Sequence, residues 1–336
     1  MKEFLLPKDR AILTKRVGNI SQIAGVRRYT LSDGAANGVE AVDVRTGSGF
    51  MFTVLPGRGM DIAWAEYKGV PLAFISQTGV TAPQYYESGG HHWLRSFFGG
   101  LLTTCGLLNA GPPCEGHGLH GRISNSPAEN ICVADTWDID GYTMTVSGRI
   151  REARMFGEHL TLTRTLTARL GENRFILEDT VENHAFSPSP LMLLYHFNLG
   201  YPLLDDSGEL VCQSVVNARD DAAAKHIGEY AHIDEPRNSR PEEVFFHDME
   251  TDSEGMVRVS LLNRNLGISA YLRYGKRELP CFTQWKQLGE GEYVLGLEPG
   301  NCHPVSQAKL REDGKLEMLN PGEKRRFRIE FGVLEG

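Results

Sequence analysis

Five groups of polar residues interrupt apolar or glycine-rich runs of this chain and could carry chemistry. In Tyr293-Val294-Leu295-Gly296-Leu297-Glu298-Pro299-Gly300, alternation puts Glu298 on the face of Val294 and Gly296, so its carboxylate enters an apolar environment. Burial disfavours the charged form and raises the pKa towards neutrality, as a general base working near pH 7 requires. The plainer reading is an exposed strand-end carboxylate, because Pro299 follows at once. In the apolar run from Leu191 to Pro202, His196 and Asn198 stand two apart and share a face. They either bond each other in a core or face a ligand, and the abrupt Gly200-Tyr201-Pro202 exit points to a cavity mouth.

The other three groups come earlier in the chain. Glu115-Gly116-His117-Gly118-Leu119-His120-Gly121-Arg122 holds two histidines three apart. Neutral imidazoles can ligate a metal, yet an odd spacing on a strand sends them to opposite faces. Histidines bonded to backbone are the alternative. In Leu55-Pro56-Gly57-Arg58-Gly59-Met60-Asp61-Ile62, glycines flank a five-donor fork and a two-oxygen acceptor. At a cavity rim these would suit sugar hydroxyls; in a solvated turn they would form a local ion pair. Arg95 opens a nearly uncharged run through Cys105 and Leu107, so it must lie at an edge or be paired, since burying a lone guanidinium is too costly.

The elements that must position these groups are strands. From Tyr142 to Ile150, apolar even positions alternate with Thr143, Thr145, Ser147 and Arg149. Leu160 to Leu170 repeats the pattern, broken only at Arg164; Phe175, Leu177 and Val181 begin another strand, and Phe327 to Val333 alternates again. Such alternation is the mark of antiparallel sheets with one buried face. The best helix candidate is Asp220 to Tyr230, followed by a long loop. The 37 glycines and 16 prolines punctuate the whole chain and mark no linker. A large, mostly antiparallel all-β sandwich with few short helices follows, read as one domain over 1–336, with 1–39 as N-terminal strands or an extension packed on it.

Composition narrows the partners. The 336 residues carry 43 Asp and Glu against 35 Lys and Arg, a net charge of -8, which gives no general pull towards nucleic acid or an anionic membrane. Residues 41% hydrophobic and 23% charged suit a large packed core. The charged start Met1-Lys2-Glu3 lacks a secretory signal's apolar stretch, and no run of 18 uncharged apolar residues follows, so the cytoplasm is expected. Six scattered cysteines without a C-x-x-C pair are expected to be reduced thiols. No phosphate-cradling G-x-x-x-x-G-K-[ST], no G-x-G-x-x-G between strand and helix and no G-x-S-x-G occurs.

Leu119-His120-Gly121, Tyr195-His196-Phe197-Asn198 and Leu297-Glu298-Pro299, in that order, resemble the active-site segments of the aldose 1-epimerases in the galactose mutarotase-like superfamily. The Gly57-to-Ile62 stretch and Arg95-Ser96-Phe97-Phe98-Gly99-Gly100-Leu101-Leu102 resemble a divergent bacterial aldose 1-epimerase-like branch; the likeness spans roughly residues 40 to 335. It implies a β-supersandwich, His196 as general acid on a sugar ring oxygen, Glu298 as general base on the anomeric hydroxyl, and His120 as a second histidine helping to hold the ring oxygen. Arg122 departs from the family pattern, where a glycine follows Gly121, and for the family's sugar-binding Asp the chain offers only the regional candidates Glu243, His247 and Asp248.

The expected activity is therefore anomer interconversion of a small sugar or sugar derivative by acid/base ring opening, without metal or other cofactor. Arg58, Asp61, Arg95, His117, Arg122, Asn198 and Trp285 are the expected sugar-binding residues, converging with His120, His196 and Glu298 on one cleft. Trp93 and Trp285 could cover a sugar's apolar face or simply pack in the core. Two alternatives remain at this level: a metal-dependent sugar isomerase using His117, His120, His196 and Glu298 as ligands, or a carbohydrate-binding protein without turnover. Neither nucleic acid nor membrane is expected as a partner, and a homodimer is among the assemblies open to the chain.

Overall fold

The computed structural model describes residues 9–139 and 141–336; the opening residues 1–8, read above against a secretory signal, lie outside the described residues. Alternation becomes strand as expected: Tyr142 to Ile150 falls in Gly141–Ala153, Leu160 to Leu170 in His159–Arg169 and one residue beyond, and Phe327 to Val333 in Lys324–Glu335. On the outer face Thr145 stands opposite Thr167 and Arg149 opposite Thr163, the kind of cross-strand pair that steadies a ladder. On the inner face Val146, Leu162, Leu166, Phe175, Leu177 and Phe331 bury into one core.

Strand accounts for about 49% of the chain and helix for about 10%. The helix expected over Asp220 to Tyr230 forms only one α-helical turn, Asp221–Ala224, and a 3-10 turn, Ile227–Glu229. Asp220 caps it by accepting from the Ala222 and Ala223 amides, but only Ala223 is buried in that turn, too little packing to extend a helix.

Two large sheets face each other across the core. The larger runs Gly25–Thr30, Glu40–Arg45, Phe50–Leu55, Asp61–Tyr67, Leu102–Cys105, Leu194–Gly200, Glu292–Gly300, Cys281–Gly289, Glu243–Met249, Ser214–Ala218, with Val70–Pro71 beside Asp61–Tyr67. The smaller runs Gly208–Val211, Met256–Asn263, Ile268–Gly275, Lys324–Glu335, Arg174–Asn183, His159–Arg169, Gly141–Ala153, Ala128–Asp138. Leu13, Val17 and Ala24 of the N-terminal segment join the same core. Among the described residues no helix is long and apolar enough to cross a membrane.

Arg164, the one break in its strand's alternation, is fully buried between the sheets. It grips Asp179 with two bonds, Nε to Oδ1 at 2.9 Å and Nη2 to Oδ2 at 2.7 Å, and reaches Asp61 Oδ1 at 3.2 Å. Tyr195 Oη donates to Asp179 Oδ2 at 2.8 Å, and Thr104 donates to Asp61 Oδ1 through both its amide and its hydroxyl. Asp61 thus lies in the core and not at a cavity rim. A buried carboxylate needs an internal cation and donors, and Arg164 and Thr104 supply them.

Candidate active site

Tyr195, Phe197, Leu199, Leu295 and Leu297 point from the central strands of the larger sheet into the core. By alternation, His196, Thr283, Trp285, Val294 and Glu298 project from the opposite face. With Phe74, Ser76 and Thr78, Trp93, Leu94 and Phe97, and Pro112, Leu119 and His120 as walls, they bound a cleft of about 680 Å³.

Phe197 pairs with Leu297 across the antiparallel ladder, which sets the next residues on the cleft side together. His196 Nε2 lies 3.1 Å from Glu298 Oε1. Among the described residues neither Glu298 Oε1 nor His196 Nδ1 has a well-formed hydrogen bond. Trp285 meets the His196 ring edge-on at 5.3 Å, and Phe97 lies 5.6 Å from it. Trp93 is packed as core, 2% exposed, stacked on Phe97 and edge-on to His120, each at 4.7 Å. Trp285 is only half-buried and is the better platform for a ligand.

Burial sets the protonation of the site. It pushes the Glu298 carboxyl well above the usual carboxylate range, with Glu242 adding to the rise and Arg219 opposing it. It lowers His196 to about 3, helped by the neighbouring His120, and lowers His120 to about 4. His120 Nδ1 lies 2.8 Å from the Ala110 carbonyl. A carbonyl only accepts, so Nδ1 carries the proton and Nε2 presents a lone pair.

The structure brings together His120, His196, Glu298 and Trp285 and places the other expected ligands elsewhere. Arg58 is 1% exposed and bonds to backbone carbonyls behind the wall. Asn198 shares the His196 face but is covered: its Nδ2 donates to the carbonyls of Gly99, Gly100 and His196. The 3-10 turn His92–Arg95 buries Trp93 and turns Arg95 outward, 3.9 Å from Glu87. His117 sits in a tight turn whose backbone bonds to Cys114 in both directions, away from the cleft lining. Arg122 is exposed, its guanidinium 6.0 Å from the Tyr86 ring. Among the described residues no three His, Cys, Asp or Glu side chains are grouped to hold a metal ion, so the four-ligand set His117, His120, His196 and Glu298 does not assemble.

Glu242, not singled out in the sequence, lines the cleft. Its Oε2 accepts from Trp285 Nε1 at 2.9 Å, and its Oε1 accepts from Arg219 Nη2 at 2.8 Å. The regional candidates lie elsewhere. Glu243 is buried against His226 and Arg240, His247 is buried between Ser214 and Gln284, and Asp248 meets Lys276 at the surface. The signal for Glu242 was parity: Val244 faces the cleft, so 242 does as well. Pro241-Glu242-Glu243-Val244-Phe245-Phe246 contains no alternation from which to read it.

Comparison with other proteins agrees with this architecture. The family model described as "Domain of unknown function (DUF4432)" matches residues 36–333. No curated protein matches the sequence. The crystal structure of a candidate aldose 1-epimerase from Klebsiella pneumoniae subsp. pneumoniae MGH 78578 superposes with a TM-score of 0.88 at 23% identity, covering 94% of this chain and 86% of that one. A galactose mutarotase-like protein from Clostridium acetobutylicum superposes at 0.65 with 12% identity, covering 94% and 100%. A candidate aldose 1-epimerase from Escherichia coli K12 superposes at 0.57 with 13% identity, covering 93% and 100%. At these identities the likeness is one of fold. The chain belongs to the DUF4432 family and carries the galactose mutarotase-like β-sandwich.

Proposed function

We propose that this protein interconverts the anomers of an uncharged sugar by acid/base ring opening, with His196 and Glu298 as the proton-transferring pair. The observation that carries the reading is the 3.1 Å approach of His196 Nε2 to Glu298 Oε1, both buried, at the floor of a cleft walled by aromatic rings. Burial favours the uncharged pair, which holds one transferable proton in total. Moving that proton from carboxyl to imidazole gives a carboxylate and an imidazolium, the base and acid that ring opening needs.

In that form Glu298 takes the proton from the anomeric hydroxyl. The C1–O bond to the ring oxygen breaks, its electron pair stays on the ring oxygen, and His196 delivers a proton there while C1 becomes a carbonyl. The pair is left uncharged, as burial prefers. Rotation about C1–C2 and reversal of the same transfers close the ring on the other face. His120 offers an acceptor at Nε2, so it suits a sugar hydroxyl better than the ring oxygen that the resemblance assigns to it. Trp285, held by Glu242, offers its ring to the sugar's apolar face.

Charge favours an uncharged substrate. Arg219 is the one permanently cationic side chain among the described lining residues, and its guanidinium is tied to Asp220 at 2.8 Å and Glu242 at 2.8 Å. Glu242, Glu292 and Glu298 share the same cleft, so a phosphate or uronate would meet carboxyl groups without a free cation to pair it. The test is anomer exchange by NMR over hexoses, pentoses, uronic acids and sugar phosphates. Acceleration of at least one uncharged aldose is expected, with the matching phosphate ester left at its spontaneous rate. Acceleration of none, or of the phosphate ester in preference, overturns the reading.

A further inference from the structure

Arg58 stands behind the cleft and joins three chain segments that form its walls. It sits in the turn between Phe50–Leu55 and Asp61–Tyr67, where Gly59 has φ +61° and a Cβ there would come 2.7 Å from the Ile123 carbonyl oxygen. That close approach brings the guanidinium against backbone. Nε donates to the Ser124 carbonyl at 2.8 Å, Nη1 to the Thr81 carbonyl at 2.5 Å and the Thr81 hydroxyl at 3.1 Å, and Nη2 to the Ser96 carbonyl at 3.0 Å. The group also lies 5.0 Å from the Phe98 ring centroid. Among the described residues no carboxylate bonds it; the nearby Asp61 bonds Arg164 and Thr104 through Oδ1.

Each acceptor belongs to a different part of the cleft wall. Thr81 ends the stretch that begins with Ser76 to Thr78, Ser96 lies between Trp93 and Phe97, and Ser124 follows the loop that carries His120. We propose that Arg58 is a positioning residue, a planar cross-link that fixes these three segments over the acid/base strands without touching the ligand. Lysine, one ammonium point charge on a flexible stem, cannot present donors to three carbonyls spread around a plane.

Hydrogen exchange of the whole protein, read by mass spectrometry, tests this in Arg58→Lys. Amides over 76–82, 93–97 and 119–124 are expected to exchange about tenfold faster or more, as loss of one or two charge-assisted bonds implies. Amides of Leu194–Gly200 and Glu292–Gly300 are expected to keep their protection. Unchanged exchange in the three segments, or an equal rise throughout the protein, overturns the proposal. If Arg58→Lys does not fold, Thr81→Val removes one bond and keeps the side-chain shape. Faster exchange confined to 76–82 then supports the role, and unaltered exchange there overturns it. A second readout rests on the proposed anomer exchange: KM should rise by a larger factor than kcat falls, because the acid/base pair sits on the sheet. The exchange measurement needs no sugar, so failure of that functional reading leaves it intact.

Discussion

Gly296 lies two residues before Glu298 on the cleft face of the same strand, and a Cβ added to it would come 2.6 Å from Glu298 Oε1 and 3.0 Å from Trp285 Cβ. The missing side chain is what lets the carboxyl fold back beside His196. Gly296→Ala should therefore push Glu298 out of place. Overpacking of this kind costs about 1–3 kcal/mol of stability, while an ångström of misplacement costs about 10²-fold in rate. Anomer exchange and urea unfolding measured on the same preparation should show a rate loss far larger than the stability loss accounts for. Wild-type exchange rates in the variant would mean that the position of Glu298 is not critical.

Glu298→Gln keeps the size of the side chain and removes the proton acceptor; His196→Asn removes the proton donor to the ring oxygen. Each should lower kcat by about 10²–10⁴-fold with sugar affinity largely kept. Because the two share one proton, the double variant should lose much less than the product of the single effects. Steady-state anomer exchange with a binding isotherm for each variant checks this. Full multiplication of the two losses would show that the groups act independently.

Activity should show no inflection where a free histidine titrates. Burial holds His196 at about 3 and His120 at about 4, so neither gains a proton near the ordinary histidine value of about 6.5. Glu298 moves the opposite way, up from the usual carboxylate range, and the pair titrates as a unit. The profile of kcat/KM should carry no acid limb at the free-histidine value and should fall as pH rises through the raised Glu298 titration, where the pair loses its shared proton. An acid limb centred near that histidine value would show that one of the two imidazoles titrates as if exposed.

Strand identity and antiparallel character were legible in the sequence because each depends on parity within a single strand; parity also gave the faces of His196 and of Glu298, but it was the resemblance that put the two together as a pair. Arg164 was legible in reverse: the only charge on an otherwise apolar face proved to be the buried cation between the sheets. What parity does not tell is which element covers a face. Asn198 has the parity of His196, yet the Gly99–Gly100 turn lies over it. Arg58 and Asp61 stand among glycines, which suggested an open rim. Those glycines instead permit close chain packing, as the contact between the Gly59 position and Ile123 shows. Glu242 was hidden because it precedes the strand Glu243–Met249, whose Val244, Phe245 and Phe246 put apolar residues on both faces.

Glu152 links stability to pH and to the loop that carries His120. It is 3% exposed, and its Oε2 accepts from the Leu107 amide at 3.0 Å, at the root of that loop. Burial raises its carboxyl to about 7, against partial opposition from the Leu107 bond and Arg122. Between the unfolded value of about 4.5 and this folded value the native protein holds a proton that the unfolded chain releases. Stability therefore falls as pH rises through that window and is flat above it. Glu152→Gln still accepts from Leu107 but does not titrate, so the variant should gain on the wild type as pH rises from about 4.5 to 8. A raised pKa of this size corresponds to roughly 3 kcal/mol. His120, His196, His247 and His303, each lowered chiefly by desolvation, add an opposite slope below about pH 6.5, but they are common to both proteins and cancel in the difference. Urea midpoints of the two proteins at half-unit pH steps give that difference directly. Any penalty from the extra amide N–H is a constant offset, so a stability difference that does not change with pH would show that Glu152 enters the fold already ionised.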